Sequence, residues 1–562
     1  FFLEIFPQKL MSSSSKPKVV EGIQWPLVPG SKKDGDRSTT YSNKAVFKAA
    51  LEVHSTEDGA NVMNEPKWRK NYDKHLLRHV KTSIEAKDGA IISAEAGLKW
   101  MHNNFEFVRD GKSQPFNIAM SAFSSNFQTF TIKGEKPKPT SIPELEVPYK
   151  GGVLKGAKLI AQISYWMKYG TIEPSAGNAI LNVLRNESYR DLSGKYFVLL
   201  GATSAMGPLR FLLNLGANIV AIDLDRPHIW STLISLARAS CGTLTFPVSA
   251  DPSTLTSDSE IAGSAGCNLL TQAPEILDWL KGVYKGESLI VGAYAYLDGE
   301  LHVRVSLAMD AIIEGLIEDR SSHPSITPAY LCTPTDIHVR SLEAKCASQN
   351  NYSIFSSFFT ALVRLTPLCF VGPLEPNFGP KYTVRGKGSL GFDVDYYLVD
   401  GIINRQGPNY ALAKRLQHWR AIVSRVRHKC AVSANIAPST STASVTSNKL
   451  FSMAYGGMHW FKPMEIFNQD TSNAVMGALL LHDVNNPKAV GASPEIALPN
   501  PLLIFSNGSF HGGVWRLGFK MDSIGGVSII MYVVIRILKT VFLFGALFFL
   551  YKAVSKNTSP DY

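Results

Sequence analysis

Residues 195–223, KYFVLLGATSAMGPLRFLLNLGANIVAID, contain the pattern that decides the fold. Tyr196 to Leu200 is a short apolar run, predicted as a buried strand. Gly201-Ala202-Thr203-Ser204-Ala205-Met206-Gly207 follows as a turn of small residues, and an amphipathic stretch then runs to Leu215-Gly216-Ala217. A second apolar run, Asn218 to Ile222, ends in Asp223. Strand, glycine turn, helix, strand and acid within about 30 residues is the order that sets a pyrophosphate against a helix N-terminus. Gly201 permits the tight turn, and Ala205 and Gly207 let the backbone approach the phosphate and the strand. Thr203, Ser204 and Met206 complete the loop. Asp223 is placed to bind the adenosine ribose hydroxyls.

Working outward, the alternation continues. Thr243 to Val248 reads as a strand followed by Ala250-Asp251, Asn268 to Lys281 as a helix, Ser288 to Ala295 as a strand and Leu307 to Ile317 as a helix. A further strand is expected at Ala329 to Cys332, leading into Thr333-Pro334-Thr335. Strands alternating with helices at this spacing predict a parallel sheet covered on both faces. Downstream lies Gly407-Pro408-Asn409-Tyr410-Ala411-Leu412-Ala413-Lys414. On a helix Tyr410 and Lys414 share a face. An ammonium beside a phenol stabilises phenolate and lowers its pKa, which would let Tyr410 exchange a proton with an alcohol or carbonyl. After this helix comes an extended run, Cys430 to Ile436, closing on Ala437-Pro438.

The glycine turn, Asp223, Asp251 after the third strand, Tyr410 with Lys414, and the strand ending at Asn435-Ile436-Ala437-Pro438 occur in one order. In that order they resemble the short-chain dehydrogenase/reductase superfamily, over roughly Lys195 to Gly518 and with a last strand at Leu502 to Phe505. The resemblance implies an α/β, doubly wound parallel sheet of Rossmann type that binds NAD or NADP and transfers hydride to or from a carbonyl or alcohol carbon. By the same resemblance Gly201, Thr203, Ser204, Ala205, Met206, Gly207, Asp223, Asp251, Lys414 and Pro438 would hold the cofactor. Tyr410 would be the general acid/base, tuned by Lys414. Asp223 should repel a 2′-phosphate, favouring NAD, while Arg226 works in the other direction. The family's Asn-Asn-Ala-Gly is here Gly292-Ala293-Tyr294-Ala295, and its serine before the tyrosine is replaced by Tyr397-Leu398. Thr333 and Thr335 can take the serine's role if 341–395 is an insertion. Two functions stay open: an oxidoreductase acting on a lipophilic alcohol or ketone, and a catalytically degraded subunit that scaffolds or assembles a membrane complex.

The flanks say where the chain works. Val527 to Tyr551 is about long enough to span a bilayer. Arg536 and Lys539 each cost roughly 2.5 to 3.5 kcal/mol at a helix centre, against about 0.3 to 0.6 gained from each Val, Ile, Leu or Phe. With 16 such residues the sum permits insertion, so 524–552 is read as a membrane anchor. The bulk of the chain would lie outside an intracellular membrane, endoplasmic reticulum or organellar, with other membrane subunits as candidate partners. Residues 1–44 are Lys-, Ser-, Gly- and Pro-rich and are expected to be a mobile lead. Residues 45–190 are expected to be a mainly helical N-terminal region whose Trp68, Trp100, Phe105 and Phe107 form core or a docking surface. The 57 Lys+Arg against 46 Asp+Glu give +11, but no basic block occurs, which argues against a nucleic-acid partner. Six cysteines without a CxxC pair predict reduced thiols and no metal site.

Overall fold

In the computed structural model, residues 20–31, 35–137, 139–365 and 374–556 are described; half of the predicted lead, 1–19 and 32–34, lies outside them. The part of the lead that is described is not loose. Strand β1 (Gly22–Gln24) is fully buried and pairs antiparallel with a strand some 80 residues on. Helices α1 (Thr39–Glu52), α2 (Thr56–Asn64), α3 (Trp68–Glu85) and α4 (Gly89–Asn104) follow, then β2 (Glu106–Arg109) and β3 (Lys112–Pro115), which complete the small sheet with β1. β4 (Gln128–Lys133) leaves this region altogether and becomes the edge strand of the main sheet. Helices α5 (Gly156–Tyr169) and α6 (Pro174–Arg185) cover that sheet.

The main sheet contains β5 (Tyr196–Leu200), β6 (Asn218–Ile222), β7 (Thr243–Val248), β8 (Leu289–Ala293), β9 (Ile326–Cys332) and β13 (Ser433–Ile436), all mutually parallel. Three further strands, β10 (Ile337–Arg340), β11 (Thr383–Lys387) and β12 (Asp393–Asp400), form a separate antiparallel sheet; β11 lies within the expected insertion 341–395, β12 crosses its end and β10 precedes it. The spatial order of the main sheet is β13-β9-β8-β5-β6-β7-β4, with β4 antiparallel. The protein is thus α/β with a mixed, mainly parallel sheet, and the chain changes direction of travel between β5 and β8.

The two faces follow from the period of two along each strand. Val198 and Leu200 of β5 join one core, Phe197 and Leu199 the other. The first core is closed by helices α9 (Ala273–Gly282), α10 (Glu300–Glu318) and α11 (Pro408–Val426). The second is closed by α7 (Leu209–Asn214), α8 (Pro227–Arg238) and α13 (Gln469–Asn485) together with α5 and α6. Helix α12 (Lys449–Met458) and the long α14 (Met521–Lys556) complete the chain.

Several sequence expectations need correction. Residues 45–190 pack directly on the main domain: Gly97 of α4 lies flat on Trp419 of α11, where a Cβ would sit 2.5 Å from the indole. Phe47 and Trp419 rings are 6.2 Å apart. The aromatic residues of the N-terminal helices therefore finish the main core, which a local pattern cannot reveal. Leu502 to Phe505 is a 3-10 turn, Pro501–Phe505, rather than a last strand. Asn500 accepts from the Leu502 amide there and Pro501 sets the first φ, so the apolar run is folded by its cap. Helix α7 is only six residues long and begins at Leu209, two residues beyond Gly207.

Candidate functional site

A cavity of about 720 Å³ opens at the C-terminal ends of the parallel strands, where β5 and β8 lie side by side. Side chains converge there because every strand of a parallel sheet releases its chain at the same edge. Gly201 follows β5 with φ +91°, and a Cβ at this position would sit 2.5 Å from the Ala295 backbone, so only glycine allows the two strand ends to meet. Gly201, Thr203, Ser204, Ala205 and Met206 line the cavity, as do Asp223, Arg226 and Pro438.

Gly207 and Asp251, two of the expected cofactor residues, do not reach it. Gly207 is buried behind the turn, its amide donating to the Ser204 carbonyl. Asp251 is exposed and accepts from the Ser253 amide and hydroxyl at 2.9 and 2.8 Å, capping a 3-10 turn. The cause is an excursion over 249–264 that carries Asp251 outward. The chain returns beside β7 at Ala265, and Cys267 and Asn268 line the cavity instead. With α7 so short, no long helix dipole backs the turn, and the amides of Gly201, Ala202, Thr203, Ser204 and Gly207 are spent on Ile222, Asp223 and the turn's own carbonyls. Asp223 is also more engaged than expected. Its Oδ2 accepts from the Thr203 amide and hydroxyl, both at 2.7 Å, and its Oδ1 from the Leu224 amide at 2.9 Å. The acid therefore orders the turn as well as facing the cavity.

On the opposite wall the structure brings Tyr410, Lys414, Thr333 and Thr335 together. Helix α11 begins at Pro408, and its first turns present Tyr410 and Lys414 to the cavity. Tyr410 Oη donates to Thr333 Oγ1 at 3.0 Å, and Thr333 Oγ1 lies 2.8 Å from Thr335 Oγ1. Lys414 Nζ reaches the Leu331 carbonyl at 3.4 Å and Gln417 Oε1 at 3.3 Å. The pKa of Tyr410 moves opposite to expectation: burial raises it, and the two threonine hydroxyls offset that only in part. Burial lowers Lys414 to about 8. The lysine is thus held by carbonyl oxygens rather than spent on stabilising phenolate, and Tyr410 stays a neutral acid near pH 7.

Three neighbours carry no motif. The His302 ring stacks on Tyr410, with centroids 5.7 Å apart, and burial together with Lys414 holds it neutral. Tyr296 lies 4.6 Å from His302, and Tyr455 closes the same wall. The signal for Tyr296 was positional, since it follows the end of β8; His302 and Tyr455 had none.

Asp336, His338 and His418 also converge behind Thr333, with potential ligand atoms within 4.8 Å of one another. Arg415 Nη2 already pairs with Asp336 Oδ1, and the His338 ring hydrogen-bonds the Thr333 carbonyl. A divalent cation there would leave two buried positive charges uncompensated, so the cluster fits a hydrogen-bonded core better than a metal centre.

Helix α14 is long and apolar enough to cross a membrane, and only 11% of its most apolar window is buried against the protein. Comparisons with family models, with curated proteins and with solved structures return no match.

Proposed function

We propose that the protein is a membrane-held NAD(P)-dependent oxidoreductase of short-chain dehydrogenase type, acting on a lipophilic alcohol or ketone. The observation that carries this reading is convergence: the glycine turn with Asp223 and the Tyr410–Thr333–Lys414 group line one continuous cavity. The order of the six parallel strands, with the cavity where that order reverses, supports a doubly wound, Rossmann-like reading. Gly201 keeps the ends of β5 and β8 close enough for both to face that cavity.

When bound, a nicotinamide supplies or accepts the hydride. The chain's own residues do the rest. Tyr410 Oη, neutral near pH 7, donates its proton to the carbonyl oxygen as the carbon is reduced, and recovers it in the reverse direction. Thr333 holds the Tyr410 hydroxyl, and Thr335 holds Thr333, which fixes the donor before substrate arrives. Lys414, held at the Leu331 carbonyl and Gln417, would offer its ammonium to the nicotinamide ribose. Asp223, at the cavity wall, would hold the adenosine ribose hydroxyls, which favours NAD over NADP.

Fluorescence titration of the full-length protein in detergent with NADH and NADPH tests the reading. Saturable binding that is lost in Gly201→Val supports it; no binding of either dinucleotide by wild type rejects it.

A second reading is favoured by the saturation of Asp223 by Thr203 and Leu224. It makes the domain a scaffold subunit of a membrane complex whose turn is held closed by its own acid. The same titration separates the two.

A further inference from the structure

The cavity and the membrane helix share one wall. Tyr455 of α12 lines the cavity, and the next two residues, Gly456 and Gly457, face α14. A Cβ at Gly457 would fall 1.8 Å from the Ser528 carbonyl oxygen, and one at Gly456 would fall 2.5 Å from the Tyr532 ring. The first turns of α14 are accordingly buried, at Met521, Ile524, Val527 and Ser528, while the side chains from Val533 to Phe548 are largely open. The free part of the helix leaves the domain one helix away from the cavity.

Around that exit the surface has a composition of its own. Trp460 is 41% exposed and Tyr165 is 54% exposed. Tyr165 stacks on Tyr169 at 5.4 Å, and Lys462 Nζ lies 5.6 Å from the Tyr169 ring centre. The His459 ring is 5.3 Å from that of Trp460, and it senses both Lys462 and Lys539. Arg536 turns back toward the domain, donating to Tyr532 Oη at 2.9 Å. Tyrosine, tryptophan and lysine together are the side chains that settle at the headgroup level, with rings in the boundary and ammonium groups on anionic lipid. The sequence next carries charge at Lys552, which leaves 540–551 uncharged. At 1.5 Å per residue that run is about 18 Å long, short of a hydrocarbon core of about 30 Å.

We propose that the face formed by Tyr165, Tyr169, Trp460, Lys462 and the Arg536–Lys539 turn lies in the headgroup layer of an anionic membrane. Helix α14 then enters hydrocarbon only from Thr540. This rests on residues 527–551 being the membrane anchor. It adds that the domain sits on the bilayer instead of hanging from a tether, with α12 between cavity and lipid.

The test uses the full-length chain with an environment-sensitive fluorescent amino acid at position 460 or, as a control, at exposed Ile118 in the N-terminal layer. Vesicles are phosphatidylcholine alone or with phosphatidylserine, doped with a headgroup nitroxide quencher. Quenching severalfold stronger at 460 than at 118, increased by phosphatidylserine and reduced to the control level by Lys462→Glu with Lys539→Glu, is expected. A chain that binds vesicles while position 460 is quenched no more than position 118 overturns the inference and leaves the anchor intact. A chain that binds no vesicles removes the anchor as well.

Discussion

Helix α11 has two faces, and they treat charge in opposite ways. On the core face, Arg420 makes bonds of 2.7 and 2.9 Å to both carboxylate oxygens of Asp310, and His102 meets the same carboxylate at 2.6 Å. Burial alone would push the Arg420 guanidinium down, but Asp310 and Glu314 raise it above its ordinary value. On the cavity face, Lys414 has only neutral oxygens around it and is pushed down to about 8. One helix therefore carries cations that hold the fold together and a cation that costs it stability. An unpaired charge is retained where it faces a cavity, which is the usual signature of chemistry.

The comparison is broken most severely from the core side. Asp310→Ala leaves the Arg420 guanidinium buried with its main partner gone, and should cost about 3 to 5 kcal/mol. Urea denaturation reads this directly. A loss below about 1 kcal/mol would mean that Glu314 carries the guanidinium without Asp310.

Acid sharpens the same contrast at a second core pair. Burial opposes ionisation of Glu173, yet His511 and Arg516 hold its carboxyl down at about 2. Its folded pKa lies below its unfolded value, so its stabilisation is present above about pH 4.5 and is lost as pH falls toward 2. The amount is up to about 3 kcal/mol. Thermal melts between pH 5 and 2.5 should show this slope in wild type and a flatter one in Glu173→Gln.

Lys414→Met reverses the sign. Folding lowers this lysine's pKa, so the unfolded chain binds the extra proton between about pH 8 and 10.5, and stability from this residue rises with pH across that window. Removing the charge should stabilise the protein near pH 7 by about 1 to 2 kcal/mol while damaging turnover. A destabilised variant would show that the lysine's bonds to Leu331 and Gln417 outweigh its desolvation.

Much of the sheet was legible because periodicity and small-residue turns are local: β5 to β9 and β13 fall where the apolar runs stand. Tyr410, Lys414, Thr333 and Thr335 were legible because each lies at a helix start or strand end on the same sheet edge. Asp251 was misplaced because the 249–264 excursion leaves no periodic mark. Docking of α1 to α4 on Trp419 and the pairing of β1 with β2 depend on contacts between distant residues, which no window of sequence contains. The opposite shift of the Tyr410 pKa was hidden for the same reason. An i, i+4 spacing shows that two side chains share a face but leaves open which carbonyl the lysine will prefer.

The central claim is that the cavity face performs proton transfer while the core face only supports it. Tyr410→Phe tests it most directly, in membrane-reconstituted full-length protein assayed for NADH oxidation across a panel of lipid-soluble ketones. Turnover should fall by about 10² to 10⁴ with dinucleotide affinity and melting temperature nearly unchanged. Turnover equal to wild type, or loss of dinucleotide binding together with turnover, would contradict the account.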